Sequence, residues 1–267
     1  MRELNLQEIQ QASFQTFLKL DSLCRKLNLH YFLAYGTLIG AIRHNGFIPW
    51  DDDIDVMMLR PDLIKLAHYL DEHLEEETPF RLCTRENTKH YNCSIPRFVD
   101  NSYRFISNYP YEKPFELGAF VDIYPLDPCG NSVETGKLLG KKIRRWNKLF
   151  MIYLNPNNGK KNLICCVRYL VSFFMHVVWG FHYDYDAHVQ RYINAHTKPN
   201  DTYVGVLYDC DPIRKDALLP ATEHLFEGHQ AFIPKDYDEV LNLTHKGYMT
   251  LPPEKDRAPH HQYSLYH

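Results

Sequence analysis

The sequence carries no excess of positive charge and no paired cysteine motif. Its net charge is -3 and its isoelectric point is near 6.6, which argues against a nucleic-acid-binding protein that depends on bulk charge. The seven cysteines are an odd number and form no Cys-x-x-Cys pair, so we predict neither a zinc site nor a disulfide framework. Reduced thiols, as found in the cytoplasm, fit this cysteine usage best.

The N-terminus has no basic segment followed by an apolar run and a small-residue cleavage site, so no secretory signal is predicted. An apolar run at residues 163–181 is nearly long enough to cross a bilayer. However, Arg168, Ser172 and His176 interrupt this run, and a charge near its centre argues against a simple transmembrane helix. We therefore expect a cytoplasmic protein.

The chain is long enough for one large domain or for a core domain with an insertion. The composition changes near residue 130, where a basic stretch at 137–148 precedes the apolar run. We predict a helical insertion at 131–195 within a domain formed by 1–130 and 196–267. A basic stretch beside an apolar helix suits an insertion that lies on the inner membrane surface. A helical hairpin that packs on the domain or in a dimer interface is the alternative.

Residues 35–60 are the most informative stretch of the chain. Residues 30–35 have the composition of a strand, and Gly36 and Thr37 form a small-residue turn that leads into a short helix. The free backbone N–H groups and the positive end of such a helix can bind an anion. We therefore expect an anion site at this turn.

An acidic segment follows the short helix. Asp51, Asp53 and Asp55 alternate with other residues in a stretch with apolar flanks. In a strand these carboxylates would share one face, where their repulsion calls for a divalent cation or a shifted pKa. A solvated acidic loop is the alternative, and the apolar flanks argue against it. An EF-hand loop is excluded, because Val56 replaces the required glycine and Asp62 the bidentate glutamate.

Asp122 lies inside an apolar run, residues 120–124, that otherwise has the pattern of a buried strand. An ionised carboxylate in such a place is costly unless it is paired or bound to a metal. Pairing with a buried arginine or with a backbone turn is the alternative to a functional role.

Three motifs together resemble the LicD family, whose relatives include bacterial phosphocholine transferases and fukutin-related sugar-phosphate transferases. They read G-T-L-I-G-A-I-R-H-N-G-F-I-P-W-D-D-D-I-D-V, then V-D-I-Y-P-L, and finally G-Y-M-T-L-P-P-E-K-D-R near the C-terminus. The last departs from the family pattern at Tyr248, where aspartate is common. The resemblance covers about two thirds of the chain and does not extend over the middle insertion. It implies an α+β fold, a nucleotidyltransferase-like mixed sheet flanked by helices, and it makes 1–130 and 196–267 the catalytic domain.

The resemblance also implies a metal-dependent phosphoryl transfer. Mg²⁺, with Mn²⁺ as the alternative, would be held by Asp51, Asp53, Asp55 and Asp122. Of these, Asp53, Asp55 and Asp122 are the expected catalytic residues, and Asp122 would take the proton of the attacking hydroxyl. The expected donor is CDP-choline or a related CDP-linked compound, and the expected acceptor is a lipid-linked glycan at the inner face of the cell membrane. No nucleic-acid partner is expected.

Further side chains are candidates for binding the donor. The candidates for its phosphates are Gly36, Thr37, Arg43, Arg97 and Arg257, with His260 and His261 near the last of these. The candidates for the choline group are the aromatic residues next to the motifs, Tyr35, Trp50 and Tyr124, because a quaternary ammonium favours aromatic faces. Packing in the core is the alternative for these aromatic residues, and a surface salt bridge is the alternative for Arg43.

Other functions share the same carboxylates. A ribitol- or glycerol-phosphate transferase would use the corresponding CDP-linked donor, and a nucleotidyltransferase proper would direct the attack to the nucleoside-bearing phosphorus. A non-catalytic, membrane-associated partner in polymer assembly is the alternative outside enzymes. The acceptor polymer is left open among teichoic acid, lipo-oligosaccharide and capsule.

Overall fold

The structure of the protein is a computed structural model that describes residues 1–89, 91, 93–108, 117–154, 156–157, 163–180, 184–207, 211–259 and 263–267. The described chain divides into two compact units. The first contains residues up to 108 together with 117–126 and 213–267, and the second contains the described part of 127–212. Both limits of the predicted insertion, 131 and 195, fall inside the second unit. The assignment of 131–195 as an insertion in a catalytic domain stays a prediction.

The chain begins with the first unit, whose elements are α1 (Leu6–Lys26), β1 (Tyr31–Leu33), α2 (Tyr35–His44), β2 (Asp55–Leu59), α3 (Arg60–Glu72), α4 (Leu74–Glu77), β3 (Phe80–Cys83), β4 (Arg97–Asp100), β5 (Arg104–Ser107) and β6 (Ala119–Gly130). The residues of β6 after Leu126 belong to the second unit, which continues with α5 (Val133–Leu154), α6 (Leu163–Trp179), α7 (Tyr185–His196) and β7 (Tyr203–Gly205). The remaining elements return to the first unit and are β8 (Ile213–Arg214), α8 (Lys215–Leu218), β9 (Thr222–Phe226), β10 (His229–Ile233), α9 (Tyr237–Thr244), a 3-10 turn (Glu254–Asp256) and β11 (Tyr263–Tyr266).

Strands of the first unit form a mixed sheet in the order β1-β2-β6-β4-β3. β2 and β6 run parallel, and the other neighbouring pairs in this order are antiparallel. The helices α1, α2 and α3 contact strands of this sheet. The predicted α+β fold, with a mixed sheet flanked by helices, is confirmed.

Between about residues 4 and 29, apolar residues recur with a spacing that predicts one or two amphipathic helices, and the structure has one helix there, α1. It begins at a capping box, in which the Asn5 side chain accepts a hydrogen bond from the Glu8 amide at 3.1 Å and the Glu8 carboxylate accepts one from the Asn5 amide at 2.9 Å. Its apolar face buries Phe17 and Leu20 completely, as an amphipathic helix on a core does. α1 is therefore a fixed support beside the sheet.

Short alternating runs between residues 80 and 106 predict strands that extend the main sheet, but not all of these strands do so. β3 and β4 do, but β5 pairs antiparallel with β11 in a separate two-stranded sheet. The reason is local packing: Phe105 of β5 stacks on Tyr263 of β11, with ring centres 5.1 Å apart. This pairing brings the C-terminal residues to the same unit as the acidic motif.

The register of the sheet aligns three charged residues. Asp55 is the Cα partner of Asp122 in the parallel pair of β2 and β6, and Arg97 is the partner of Asp122 in the antiparallel pair of β4 and β6. Directly opposed residues project from the same face of a sheet. The sheet therefore sets Arg97, Asp122 and Asp55 in one row across three adjacent strands.

The second unit has its own core. Ile143, Phe150 and Tyr153 from α5 pack with Met175 from α6 and Tyr185 at the start of α7. The ring of Phe150 stacks on that of Tyr185, with centres 4.3 Å apart. Within the described residues, none of the helices has both the length and the apolar character needed to cross a membrane.

Candidate functional site

Three carboxylates converge at the edge where β2 begins. Asp53, Asp55 and Asp122 each offer an oxygen, and these oxygens lie within 4.8 Å of one another. All three residues are buried. Asp55 and Asp122 meet because of the sheet register, whereas Asp53 reaches them from the segment before β2.

The strand predicted over residues 51–56 is wrong for its first four residues. β2 begins at Asp55, and residues 51–54 form a loop. Distant side chains hold this loop: Gln10 Nε2 donates to the Asp51 carbonyl at 2.8 Å, and the Tyr263 hydroxyl donates to the Asp52 carbonyl at 2.7 Å. Because side chains satisfy these backbone acceptors, the segment does not need a neighbouring strand there.

The loop conformation adds Asp52 to the group of carboxylates. In a strand, the side chain of Asp52 would point to the opposite face from those of Asp51 and Asp53. Asp52 is buried, and its carboxylate lies within 4.8 Å of those of Asp51 and Asp53. Asp53 is thus common to two groups of three carboxylates. The signal for Asp52 was the unbroken Asp-Asp-Asp sequence, because consecutive side chains can converge in a loop but not in a strand.

The fit of a divalent cation can be judged from Asp55. Its Oδ1 atom is buried and has no hydrogen-bond partner among the residues that the structure describes. Burial, followed by the charges of Asp53, Asp122 and Asp51, raises the pKa of Asp55 well above its ordinary value, and Arg97 offsets only part of this effect. A buried, unpaired carboxylate oxygen is costly, and carboxylate oxygens are the ligands that Mg²⁺ and Mn²⁺ prefer. The residues present therefore fit such an ion.

Arg97 is paired with Asp122. Its Nε donates to Asp122 Oδ1 at 2.5 Å, its Nη2 donates to Oδ2 at 3.2 Å, and its guanidinium carbon lies 4.0 Å from the centre of the Phe120 ring. The buried ion pair that the sequence offered as an alternative for Asp122 is thus present, and Asp122 also belongs to the carboxylate cluster. A role for Arg97 in binding a donor phosphate stays a prediction.

Gly36 and Thr37 contact the acidic segment from the first turn of α2. The predicted separate turn is absent from these residues, because α2 begins at Tyr35, where the backbone φ is +44°. A Cβ on Gly36 would lie 2.7 Å from Asp51 Oδ2, so glycine leaves the space that this carboxylate uses. Thr37 Oγ1 accepts a hydrogen bond from the Asp55 amide at 2.8 Å. A phosphate-binding role for Gly36 and Thr37 stays a prediction.

Arg43 and Arg257 both hold the C-terminal segment. Arg43 Nη1 donates to the Tyr248 carbonyl at 2.6 Å, and Arg257 Nε donates to the Pro252 carbonyl at 2.9 Å. Burial and the charge of Arg257 lower the pKa of Arg43, which indicates that the two guanidinium groups are near each other. Two adjacent cations can attract an anion, and that role stays a prediction. His260 and His261 lie outside the described residues.

The three aromatic candidates separate into two places. The rings of Tyr35 and Tyr124 meet nearly edge to face, with centres 4.7 Å apart, whereas Trp50 lies under Arg257, 5.6 Å from its guanidinium carbon. Burial and the charges of Asp55 and Asp122 raise the pKa of Tyr124, so this pair adjoins the carboxylates. His245 contacts Tyr35, with ring centres 6.0 Å apart, and no sequence pattern marked it.

Part of the chain matches a family of known proteins. A family model described as the nucleotidyltransferase domain of LicD, FKTN and FKRP proteins matches residues 28–151. That segment includes the short helix, the four aspartates at 51, 52, 53 and 55, and Asp122 with Arg97. The match therefore falls on the part of the chain in which the sheet and the acidic cluster are built.

Relatives extend the similarity beyond that domain. The lipopolysaccharide cholinephosphotransferase LicD of Haemophilus influenzae is 29% identical over 284 aligned positions, which cover 100% of this chain and 99% of that protein. An uncharacterised protein of Rickettsia prowazekii is 27% identical and one of Rickettsia typhi is 26% identical, each over 52% of this chain and over 57% and 48% of its own length. Residues 28–151 therefore match the nucleotidyltransferase domain of the LicD family, and the similarity to a LicD protein extends over the whole chain.

Proposed function

We propose that this protein transfers phosphocholine from CDP-choline to a hydroxyl of a cell-surface glycan precursor and releases CMP. One observation carries the proposal: the buried carboxylates of Asp53, Asp55 and Asp122 converge with an unpaired oxygen on Asp55. The full-length similarity to a lipopolysaccharide cholinephosphotransferase supports the choice of transferred group. Lipopolysaccharide is the first acceptor to test, and teichoic acid and capsule precursors follow.

In this proposal Asp53, Asp55 and Asp122 hold a Mg²⁺ or Mn²⁺ ion, with Asp51 beside them. The ion, when bound, neutralises negative charge on the phosphate oxygens of the donor. Arg97 holds both oxygens of Asp122 and so fixes the direction of that carboxylate. Thr37 fixes the backbone of Asp55, so the ligand oxygens keep their positions before the donor binds.

The transfer is balanced as a single displacement. The acceptor hydroxyl oxygen forms a bond to the choline-bearing phosphorus, and the bond from that phosphorus to the bridging oxygen breaks. CMP leaves with the electron pair, and the hydroxyl proton passes to Asp122. The phosphates lie within reach of the α2 N-terminus at Gly36 and Thr37, and Arg43 and Arg257 contribute positive charge.

Choline recognition is assigned to the aromatic pair. Tyr35 and Tyr124 place two rings, inclined at 66° to each other, beside the carboxylates, and a cation over such a face gains about 0.5–2 kcal/mol. Trp50 is a weaker candidate, because Arg257 already lies over its ring. A ribitol- or glycerol-phosphate donor would instead need hydrogen-bonding groups at this position.

We also propose that the protein associates peripherally with the inner face of the cell membrane, since the proposed acceptor is attached to a lipid. The basic and apolar helices of the second unit support this part of the proposal.

Phosphorus NMR of the purified protein with Mg²⁺ and a lipid-linked glycan acceptor tests the proposal. CDP-choline, CDP-ribitol and CDP-glycerol are supplied in parallel, and Asp55→Asn serves as the inactive control. We expect CMP and a new phosphodiester signal with CDP-choline alone. CMP from another donor would change the substrate. Release of phosphocholine, with the CMP group attached to the acceptor, would indicate nucleotidyl transfer, and turnover equal to the Asp55→Asn control with every donor would favour a non-catalytic partner.

A further inference from the structure

The polar side chains of helix α6 face other residues of the second unit, to which α6 belongs. Arg168 Nε donates to the Pro156 carbonyl at 2.9 Å, and Ser172 Oγ donates to the Tyr153 carbonyl at 3.2 Å. The ring of His176 stacks on that of Tyr153, with centres 4.1 Å apart. A helix on the surface of a water-soluble domain normally has the reverse arrangement.

The outer side of α6 is correspondingly apolar. Within the described part of this helix, the exposed residues other than Tyr169 and Cys166 are aliphatic or phenyl side chains. Phe173 and Phe174 are each 64% exposed, and Val178 is 76% exposed. We call this surface the α6 apolar face; it consists of Leu163, Ile164, Val167, Leu170, Phe173, Phe174, Val177 and Val178. A continuous apolar surface of this kind marks an interaction site.

The helix that packs against α6 supplies positive charge. α5 contacts α6, and its exposed residues include Lys137, Lys141, Arg144, Arg145 and Lys148. The sequence from 135 to 183 contains nine lysines and arginines and no aspartate or glutamate, although the whole chain has a net charge of -3. The charge of the chain is therefore strongly uneven, and its positive part precedes the α6 apolar face in sequence, apart from Arg168 within α6.

This charge distribution favours an anionic lipid surface over a second copy of the chain. In a symmetric dimer the same patch meets itself, so the cations of two α5 helices would be brought together. Anionic headgroups complement these cations, and the acyl boundary accepts the apolar side chains.

We propose that the α6 apolar face enters the interfacial layer of a bilayer while the cations of α5 contact anionic headgroups. This inference deepens the peripheral membrane association and rests on that part of the proposed function. It assigns the contact to one helix pair and requires anionic lipid. Lipid-linked acceptors would then reach the protein at the surface on which it is already bound.

Vesicle flotation of the full chain tests the inference. Vesicles of phosphatidylcholine alone are compared with vesicles that also contain phosphatidylglycerol. We expect flotation with the anionic vesicles, weakened by raised salt. The double variant Phe173→Glu and Phe174→Glu should lose at least about tenfold in partitioning. Ile64→Glu, which also replaces an exposed apolar residue by glutamate, at a 46% exposed site on α3, should not.

A charge variant gives the second measurement. Replacing Lys141, Arg145 and Lys148 by glutamine removes three cations, each contributing about fivefold in affinity for an anionic surface. Partitioning to anionic vesicles should fall by about a hundredfold. The exposed Lys235 in the first unit, changed to glutamine, is the matched control. Circular dichroism of every variant verifies that the helices are retained.

The outcomes separate this inference from the proposed chemistry. CMP release from CDP-choline in the absence of vesicles should be the same for the wild type and for the phenylalanine double variant. Flotation without turnover would keep the surface and reject the chemistry. The inference is overturned if the wild type stays in solution with anionic vesicles, or if the double variant floats like the wild type. It is also overturned if the wild type is a dimer that does not bind vesicles and if sedimentation velocity shows the double variant as a monomer.

Discussion

At the scale of single residues, Asp55 has an unfavourable environment for a charged carboxylate. It is buried among other carboxylates, and its raised pKa means that the folded protein binds the proton more tightly than the unfolded chain. Stability from this residue is therefore present below the unfolded pKa and is lost as the pH rises through the folded value. Metal-free Asp55→Asn should melt at or above the wild-type temperature at neutral pH, and this difference should shrink on acidification. Turnover should fall by at least about 10²-fold.

The control for this variant is a buried aspartate of the second unit. Asp201 accepts hydrogen bonds from the backbone amides of Gly130 at 3.1 Å and Lys198 at 2.9 Å. Asp201→Asn replaces one acceptor oxygen by a donor, so it should lower the melting temperature without a direct effect on the acidic cluster. Thermal melts in chelator across the pH range give the comparison. A clear loss of stability in Asp55→Asn at neutral pH would mark Asp55 as a structural residue.

Gly36 tests the contact between α2 and the acidic loop. A methyl group there would lie 2.7 Å from Asp51 Oδ2, which is the end of a flexible side chain. Gly36→Ala should therefore displace this carboxylate and reduce kcat/KM by about tenfold, with a small change in melting temperature. Gly40→Ala is the control, because its Cβ would lie 2.4 Å from the backbone carbonyl of Gly46. Only a shift of the main chain can relieve that contact, so this variant should lose stability. Equal effects of both variants on stability would contradict this assignment.

The Arg97–Asp122 pair can be tested by a double-mutant cycle. Removing one member of a buried ion pair leaves the other uncompensated, so Arg97→Gln should lower the free energy of unfolding by about 3–5 kcal/mol. Arg97→Gln with Asp122→Asn should cost less than the sum of the single changes, by about 1–3 kcal/mol. The half-exposed pair of Arg214 and Glu239 should give coupling below about 1 kcal/mol. Additive effects at Arg97 and Asp122 would show that the two do not act as a pair.

At the scale of elements, hydrophobic periodicity predicted those helices and strands that are determined by residues close to one another in sequence. The amphipathic spacing before residue 30 and the apolar run around Asp122 correspond to α1 and β6, because local sequence sets the face that each element buries. The loop at 51–54 could not be predicted in this way. Its backbone is held by Gln10 and Tyr263, which lie 41 and 211 residues from their acceptors in sequence, and no window around Asp51 contains that information.

The same limit applies to the candidate site. Alternating acids suggested the cluster of Asp53 and Asp55, and the isolated acid in an apolar run suggested Asp122, since a charge in such a place needs a reason. The bond from Arg97 to Asp122 depends on the pairing of β4 with β6, and the contact of His245 with Tyr35 depends on the position of the segment after α9. Both are products of tertiary packing.

The contact of β11 with the acidic loop gives a prediction at this scale. Tyr263→Phe removes the hydrogen bond to the Asp52 carbonyl while keeping the stacking on Phe105. We expect a stability loss of about 1 kcal/mol and a several-fold fall in kcat, because the loop loses a hydrogen bond that holds its backbone. Tyr266→Phe, in the same strand, should change neither. Steady-state kinetics and urea melts of both variants measure this, and an unchanged kcat for Tyr263→Phe would contradict the bracing role.

At the scale of the whole molecule, ion binding and folding are linked. A ligand that binds only the folded chain stabilises it by mass action, by about 2.7 kcal/mol at a hundred times its dissociation constant. For a chain of this size, 1 kcal/mol corresponds to about 2–4 °C in melting temperature. Mg²⁺ added to chelator-treated protein should therefore raise the melting temperature by several degrees and restore turnover.

The matched control for the ion is Asp55→Asn, which lacks a central ligand charge. Its melting temperature should respond to Mg²⁺ much less than that of the wild type, whereas Asp201→Asn should keep the full response from a lower starting temperature. Because the described chain has two compact units, calorimetry is preferable to a single optical probe, since it reveals whether more than one transition is present. If Mg²⁺ stabilised the wild type and Asp55→Asn equally, the ion would bind elsewhere, and the carboxylate cluster would lose its assignment as the metal site.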